Sequence, residues 1–243
     1  MSALRKHHAL EPAQHNRLLQ RLLRECPSLE PWLVHHDGAA GSELYREAAA
    51  ISEFCFPTHS SLACIVVRPH GGEAAVVQTV GNEGMLGLPA WLGIPRSPDK
   101  VVQWTSGTVI RVPVRAFKDA LEHNQHAHHV LNGYAMYRLR LSALACLCIA
   151  HHSMQQRLCR WLLTSMDRSG FSEVILTQAM LAHMIHARRQ SVTEVMAKLQ
   201  RAGVISQGRN RIQVLDRNKL ESFSCGCYQT ASASYDRLVL KAV

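Results

Sequence analysis

The side chains best placed to do chemistry in this chain lie between residues 176 and 215. Arg188, Arg189, Gln190, Ser191, Thr193 and Glu194 are crowded at the start of one amphipathic stretch. An Arg fork of donors matches guanine O6 and N7, and a Gln amide matches adenine. Such types on one helical face suit the reading of base edges rather than the breaking of bonds. No Ser/His/Asp set, glycine-rich phosphate loop or HExxH is present, so no catalytic residue is assigned and an enzyme is not expected.

Those residues need elements to present them. Leu181, Met184 and Ile185 recur at helical spacing after Thr177, whose hydroxyl can cap the first turn. That helix must end near His186. A second helix runs over residues 188–202, with Val192, Val195, Met196 and Leu199 inward and Arg189, Gln190, Thr193, Lys198 and Arg201 outward. Gly203 stops it. Residues 204–206 and 211–215 then read as two strands around the basic tip Gln207-Gly208-Arg209-Asn210. This is the layout of a winged helix-turn-helix, whose second helix enters the major groove of duplex DNA. Thr177 belongs to the expected contact set. Arg188, Arg209 and Arg211 are expected on phosphates, which position but do not specify.

The charge supports this reading. The 243 residues carry a net +9, and residues 1–125 are balanced, with 12 basic and 12 acidic side chains. All of the excess therefore falls in the half that holds the two helices. It supplies sequence-independent attraction to phosphates. A membrane-surface helix would need a broad aromatic and apolar face, which the Arg-rich helix lacks, so no membrane partner is expected. The longest apolar run, residues 141–150, is about half of what a bilayer requires. The first residues lack a secretory apolar core, so the eight cysteines are expected in the cytoplasm, as thiols.

Upstream, residues 14–34 read as a helix that breaks at Pro27 and resumes for a turn. Residues 44–114 alternate short apolar runs (48–56, 62–67, 74–80, 101–104 and 109–112) with turn clusters, the pattern of an antiparallel sandwich or barrel. A short helix over 115–122 precedes a long one over 127–152. In the long helix Leu131, Tyr134, Arg138, Leu141, Ala145, Cys148 and His152 step by 3 and 4, a heptad seam, and residues 141–150 are apolar nearly all round, so one side is expected against the chain's own β domain and the other against the same helix of a second copy. A further helix over 154–170 closes at Gly170. The expected division is a sensor-like β domain over 1–125, a dimerisation helix over 126–153 and a DNA-binding domain over 154–243.

This order resembles the Crp/Fnr family of bacterial transcription regulators. The resemblance rests on QQRLCRWLL (155–163), on residues 176–205 and on EGMLGLPAWLG (83–93). It implies an α+β chain: an N-terminal β-roll of the cyclic-nucleotide-binding type, a long dimerisation helix and a C-terminal winged helix-turn-helix. It also implies a homodimer on a near-palindromic site, and RNA polymerase as a partner. The family's nucleotide pocket uses Gly-Glu and then Arg-Ser/Thr-Ala. Here Met85 follows Gly84, and Arg96-Ser97 is followed by Pro98. Only Arg96, Ser97 and Ser142 remain as weak pocket candidates, and no cofactor, cAMP and cGMP included, is expected. Glu194 stands where well-known members are basic, and His186 where a turn glycine is usual.

The remaining chemistry-bearing residues give no site. His126, His128 and His129, and the pair His151-His152, include neighbours that point to different helix faces. Cys225-Gly226-Cys227 is a CxC, without the CxxC spacing of zinc or redox sites. No metal ligand is therefore assigned. The competing reading is a haem- or metal-binding sensor whose basic half has only a generic role.

Overall fold

The computed structural model describes residues 16–59, 61–176 and 178–241. The chain divides into two compact units. One runs up to Tyr137 and takes back the C-terminal residues from Tyr235; the other is Arg138–Ser234.

In the first unit α1 (Arg17–Glu25) is capped by Asn16, whose side chain accepts from the Leu19 amide. The Asn16 amide group also donates to the carbonyls of Pro57 (2.7 Å) and Gly84 (2.8 Å), so a buried polar residue is satisfied by three backbone partners. A 3-10 turn over Pro27–Trp32 follows, as the proline dictates. The strands are β1 (Val34–Gly38), β2 (Glu43–Tyr45), β3 (Glu53–Pro57), β4 (Ala63–Val67), β5 (Ala75–Val80), β6 (Lys100–Gln103) and β7 (Gly107–Pro113). They form two antiparallel sheets, ordered β1-β7-β3 and β2-β6-β4-β5. The one-turn helix α2 (Leu88–Trp91) interrupts them, and α3 (Val114–Leu121) closes them. The core sits under α3. Phe117 meets Phe54 at 4.6 Å, Phe56 at 6.0 Å and the edge of Trp91 at 6.1 Å between ring centroids.

This is the expected β-roll, with three local differences. The apolar run 48–56 is a strand only from Glu53, because Ala48 turns left-handed at φ 59°. Strands β1 and β2 went unread, because Val-His-His-Asp-Gly and Glu-Leu-Tyr carry no apolar alternation. The C-terminal residues also return to this unit. Gly133 lets them come close, since a Cβ there would lie 1.8 Å from the Leu238 carbonyl oxygen.

Helix α4 (Gln125–His151) begins in this unit and continues into the other. Its Tyr134 holds the segment where a nucleotide signature was sought. The phenol accepts from the Met85 amide and donates to the Met85 carbonyl, each at 3.0 Å. A Cβ on Gly84 would lie 2.1 Å from the same oxygen. The Tyr134→Phe variant strands a buried amide, and its urea midpoint should fall by an amount equivalent to about 1–3 kcal/mol.

The second unit holds the rest of α4, then α5 (Met154–Ser169), β8 (Glu173–Ile175), α6 (Gln178–Met184), α7 (Arg189–Arg201), β9 (Ile205–Gly208), β10 (Arg211–Val214), α8 (Arg217–Ser222) and α9 (Cys227–Tyr235). Ser153 and Gln156 start α5 with a reciprocal capping box, and Gly170 ends it. The wing is three-stranded, β8-β10-β9, one strand more than expected. Arg217, Asp167 and Tyr228 interlock α8, α5 and α9: the guanidinium donates to Asp167 (2.7 Å) and to the phenol (2.6 Å), and the phenol donates to Asp167 (2.8 Å).

The two sides of α4 differ in what covers them. Leu131, Tyr134, Arg138 and Cys148 are buried within the protomer, and Leu141 and Ala145 are half-buried. That face is filled by the chain itself. The opposite side of the helix carries its own 3,4 stripe, Met136, Leu139, Ala143, Cys146 and Ala150, with Leu139 64% exposed.

Candidate nucleic-acid interface

Helix α7 is anchored by Val192, Val195, Met196 and Leu199, all buried. Their spacing leaves one face outward, and Arg189, Gln190, Thr193, Glu194, Lys198 and Arg201 are all exposed on it. Arg188 is the N-cap residue, extended at φ −71° and ψ 137° and exposed. Ser191 is half-buried beside them. Arg209 lies on the exposed two-residue tip of the hairpin, next to Asn210 at φ 60°. Arg211 is also exposed, but its guanidinium is 3.4 Å from the Glu173 carboxylate on β8. A phosphate must compete for it. Thr177 lies outside the described residues.

A polar chain missed in the sequence ties the two helices to the wing. The Thr193 hydroxyl is 2.8 Å from Gln178 Oε1, Gln178 Nε2 donates to Gln207 (2.9 Å), and Gln207 Nε2 donates to Gln200 (2.9 Å). It fixes the register of α6, α7 and β9 without using charge. Three glutamines scattered through polar positions gave no periodic signal.

The turn between α6 and α7 has the geometry that its odd residue demands. His186 is left-handed at φ 51°, where a side chain is strained. The Ala187 amide reaches back to the Ala182 carbonyl (2.9 Å) to close the turn. Arg157, on α5, donates to the carbonyls of Ile185 and His186. Burial, then the nearby charges of Arg157 and His183, hold the His186 imidazole below its ordinary 6.5. Folding therefore favours the neutral ring. That contribution is complete above pH 6.5 and is lost as pH falls through the lowered value. The His186→Gly variant should unfold later by about 1 kcal/mol, the order of the left-handed penalty, with a flatter decline on the acid side. Thermal melts from pH 5 to 8 read both effects.

Residues 156–223 match the family model described as the Crp-like helix-turn-helix domain. This segment is thus similar to a Crp-like helix-turn-helix. The fold of the chain as a whole agrees. FixK2 from Bradyrhizobium japonicum superposes with a TM-score of 0.67 at 13% identity, covering 79% of this chain and 98% of that one. The c-di-GMP responsive global regulator CLP of Xanthomonas campestris gives 0.58 at 11%, covering 82% and 98%. TTHA1359, a transcriptional regulator of the CRP/FNR family from Thermus thermophilus, gives 0.56 at 18%, covering 79% and 98%. No curated protein matches the chain. The expected α+β architecture, a β-roll, a long helix and a winged helix-turn-helix, is therefore the observed one.

Each weak pocket candidate makes a local bond within its own unit. Arg96 donates to the Ala48 carbonyl (2.8 Å), Ser97 donates to the Asp99 carbonyl (2.6 Å), and Ser142 bonds its own helix at Arg138 (3.3 Å). Of the histidines, His128 packs on Trp91 and lies 3.0 Å from the Leu121 carbonyl. Cys225 and Cys227 were read as a CxC that gives no site. Both are buried, and they meet Cys148 and His152. The sequence comparison that mattered was Cys148 with His152, one turn apart on one face, not His151 with His152. Among the described residues, no helix is long and apolar enough to cross a membrane.

Proposed function

We propose that the protein is a homodimeric transcription regulator that reads a near-palindromic duplex DNA site with α7. The observation that carries this is the outward face of α7, with Arg188, Arg189, Gln190, Thr193 and Glu194 together inside a Crp-like helix-turn-helix domain. Arg189 bonds a guanine edge, Gln190 an adenine edge, and Glu194 accepts from a cytosine amino group. Ser191 supports them. Arg188 and Arg209 hold phosphates, and so does Arg211 when it releases Glu173. Thr177 belongs to the same proposed DNA-contact set.

The second copy docks along the exposed stripe of α4. Two recognition helices then meet half-sites one helical turn apart. The division of labour follows the sequence: residues 1–125 sense or support, 126–153 dimerise and 154–243 bind DNA, in the cytoplasm, with RNA polymerase as the neighbouring partner. The β-roll works as a scaffold, or responds to a signal other than a cyclic nucleotide. Tyr134 already occupies both backbone groups of Met85, Arg96 donates to the Ala48 carbonyl and Ser97 to the Asp99 carbonyl.

Selection from a random duplex pool tests this reading. A two-fold symmetric enriched sequence supports it. No enrichment, or enrichment of single-stranded or RNA contaminants, removes it.

A further inference from the structure

Away from the DNA-reading face, one group of soft donor atoms comes together. Cys148 sits in the last turn of α4, and His152 follows one turn later on the same side. The His152 amide still bonds the Cys148 carbonyl at 3.1 Å, so that turn is closed. Cys225 and Cys227 come from the bend between α8 and α9, where the Tyr228 amide returns to the Cys225 carbonyl at 3.1 Å. The three sulfurs and the imidazole nitrogen all lie within 4.8 Å of one another.

The separations have a specific meaning. Cys148 Sγ is 3.6 Å from Cys225 Sγ, and Cys227 Sγ is 3.6 Å from His152 Nδ1. Bonds of about 2.3 Å to sulfur and about 2.0 Å to nitrogen give a tetrahedron with edges of about 3.8 Å between sulfurs and about 3.6 Å from sulfur to nitrogen. Both measured edges fit it. Neither fits a disulfide bond of about 2.05 Å, and all three cysteines are free thiols.

The surroundings suit a thiolate-bound cation. Leu144 packs against the three buried cysteines. The Arg160 guanidinium is a cationic neighbour of Cys148. Its Nε is buried with no hydrogen-bond partner among the described residues. Three thiolates, one neutral imidazole and a divalent cation leave a single negative charge, which Arg160 offsets.

We propose that Cys148, His152, Cys225 and Cys227 form a closed, structural site for a tetrahedral divalent cation of the zinc type. Four protein ligands leave no open position, so the site holds structure rather than performing chemistry. It joins the end of α4 to the bend before α9, positions 77 residues apart at Cys148 and Cys225, and the whole helix-turn-helix lies in the loop so closed. The metal releases the thiol protons on binding. None of this depends on which DNA is read.

The test uses the full chain, purified without chelator. Elemental analysis should find about one zinc per chain. Cobalt(II) added after removal of the metal should give thiolate-to-cobalt charge-transfer and tetrahedral ligand-field bands. The Cys227→Ser and His152→Ala variants should lose those bands. The His152→Cys variant, which restores four donors, and Cys146→Ser, outside the group, should keep them. Circular dichroism of each variant separates loss of ligand from loss of fold. Metal-free protein without cobalt bands, whether its thiols all react or a pair is oxidised to a disulfide, would overturn the proposal.

Discussion

Replacing Leu139 and Ala143 together by Glu will turn the proposed dimer into monomers and lower affinity for the full DNA site by about 10²–10⁴-fold. Both residues are exposed on the 3,4 stripe of α4, so the charges enter solvent in the monomer and the protomer keeps its fold. In a dimer they would meet their own copies across a two-fold axis, where like charges repel. The loss follows from effective concentration: once one half-site is bound, the linked second helix binds as if at high local concentration, and that factor vanishes with the dimer. Sedimentation measures the mass, and anisotropy on a single half-site should change little. The same pair of substitutions on the inward seam, at Leu131 and Tyr134, would instead unfold the protomer, because both residues are fully buried.

The Arg189→Ala variant will lose about 1–3 kcal/mol of binding to the selected site, roughly 5- to 150-fold, and very little on unrelated duplex. The argument is geometric. Arg189 is the first residue of α7, exposed and on the outward face, beside Gln190 and one turn before Thr193. Its fork is free to meet a guanine edge that no alanine can bond. The Arg209→Ala variant should show the opposite signature. It lies on the hairpin tip, so its loss should weaken binding to all sequences alike and reduce the salt slope by about 1.

How much of this was legible depended on whether a feature is local or assembled. The helix-turn-helix is local: buried Val192, Val195, Met196 and Leu199 write their own period, and Gly203 marks the stop. His186 stood out because the resemblance puts a glycine at that turn, and the residue is left-handed. The α4 stripe was half legible. A helix that is apolar nearly all round supports two 3,4 stripes on opposite sides, and only the fold decides which one the chain itself covers.

Assembled features were out of reach. Cys148 and His152 are one turn apart, which the sequence does contain, but nothing in it says that Cys225 and Cys227 arrive at the same point. The path through α5, the helix-turn-helix, the wing and α8 brings them there. The Gln178–Gln207–Gln200 chain is similar: three amides from α6, β9 and α7 meet only after those elements have packed. Strand β8 was missed for the same reason, since Glu-Val-Ile becomes a strand by pairing with β10 rather than by its own composition.

The central claim is that α7 chooses the DNA sequence. The direct measurement is selection from one random duplex pool with the wild-type chain and the Arg189→Ala variant in parallel, at equal salt. The account predicts a two-fold symmetric site for the wild type, with half-sites centred about 10 base pairs apart, and for the variant the same site with preference lost at one guanine in each half. Recovery of an identical site, with every position equally preferred by both proteins, would contradict it.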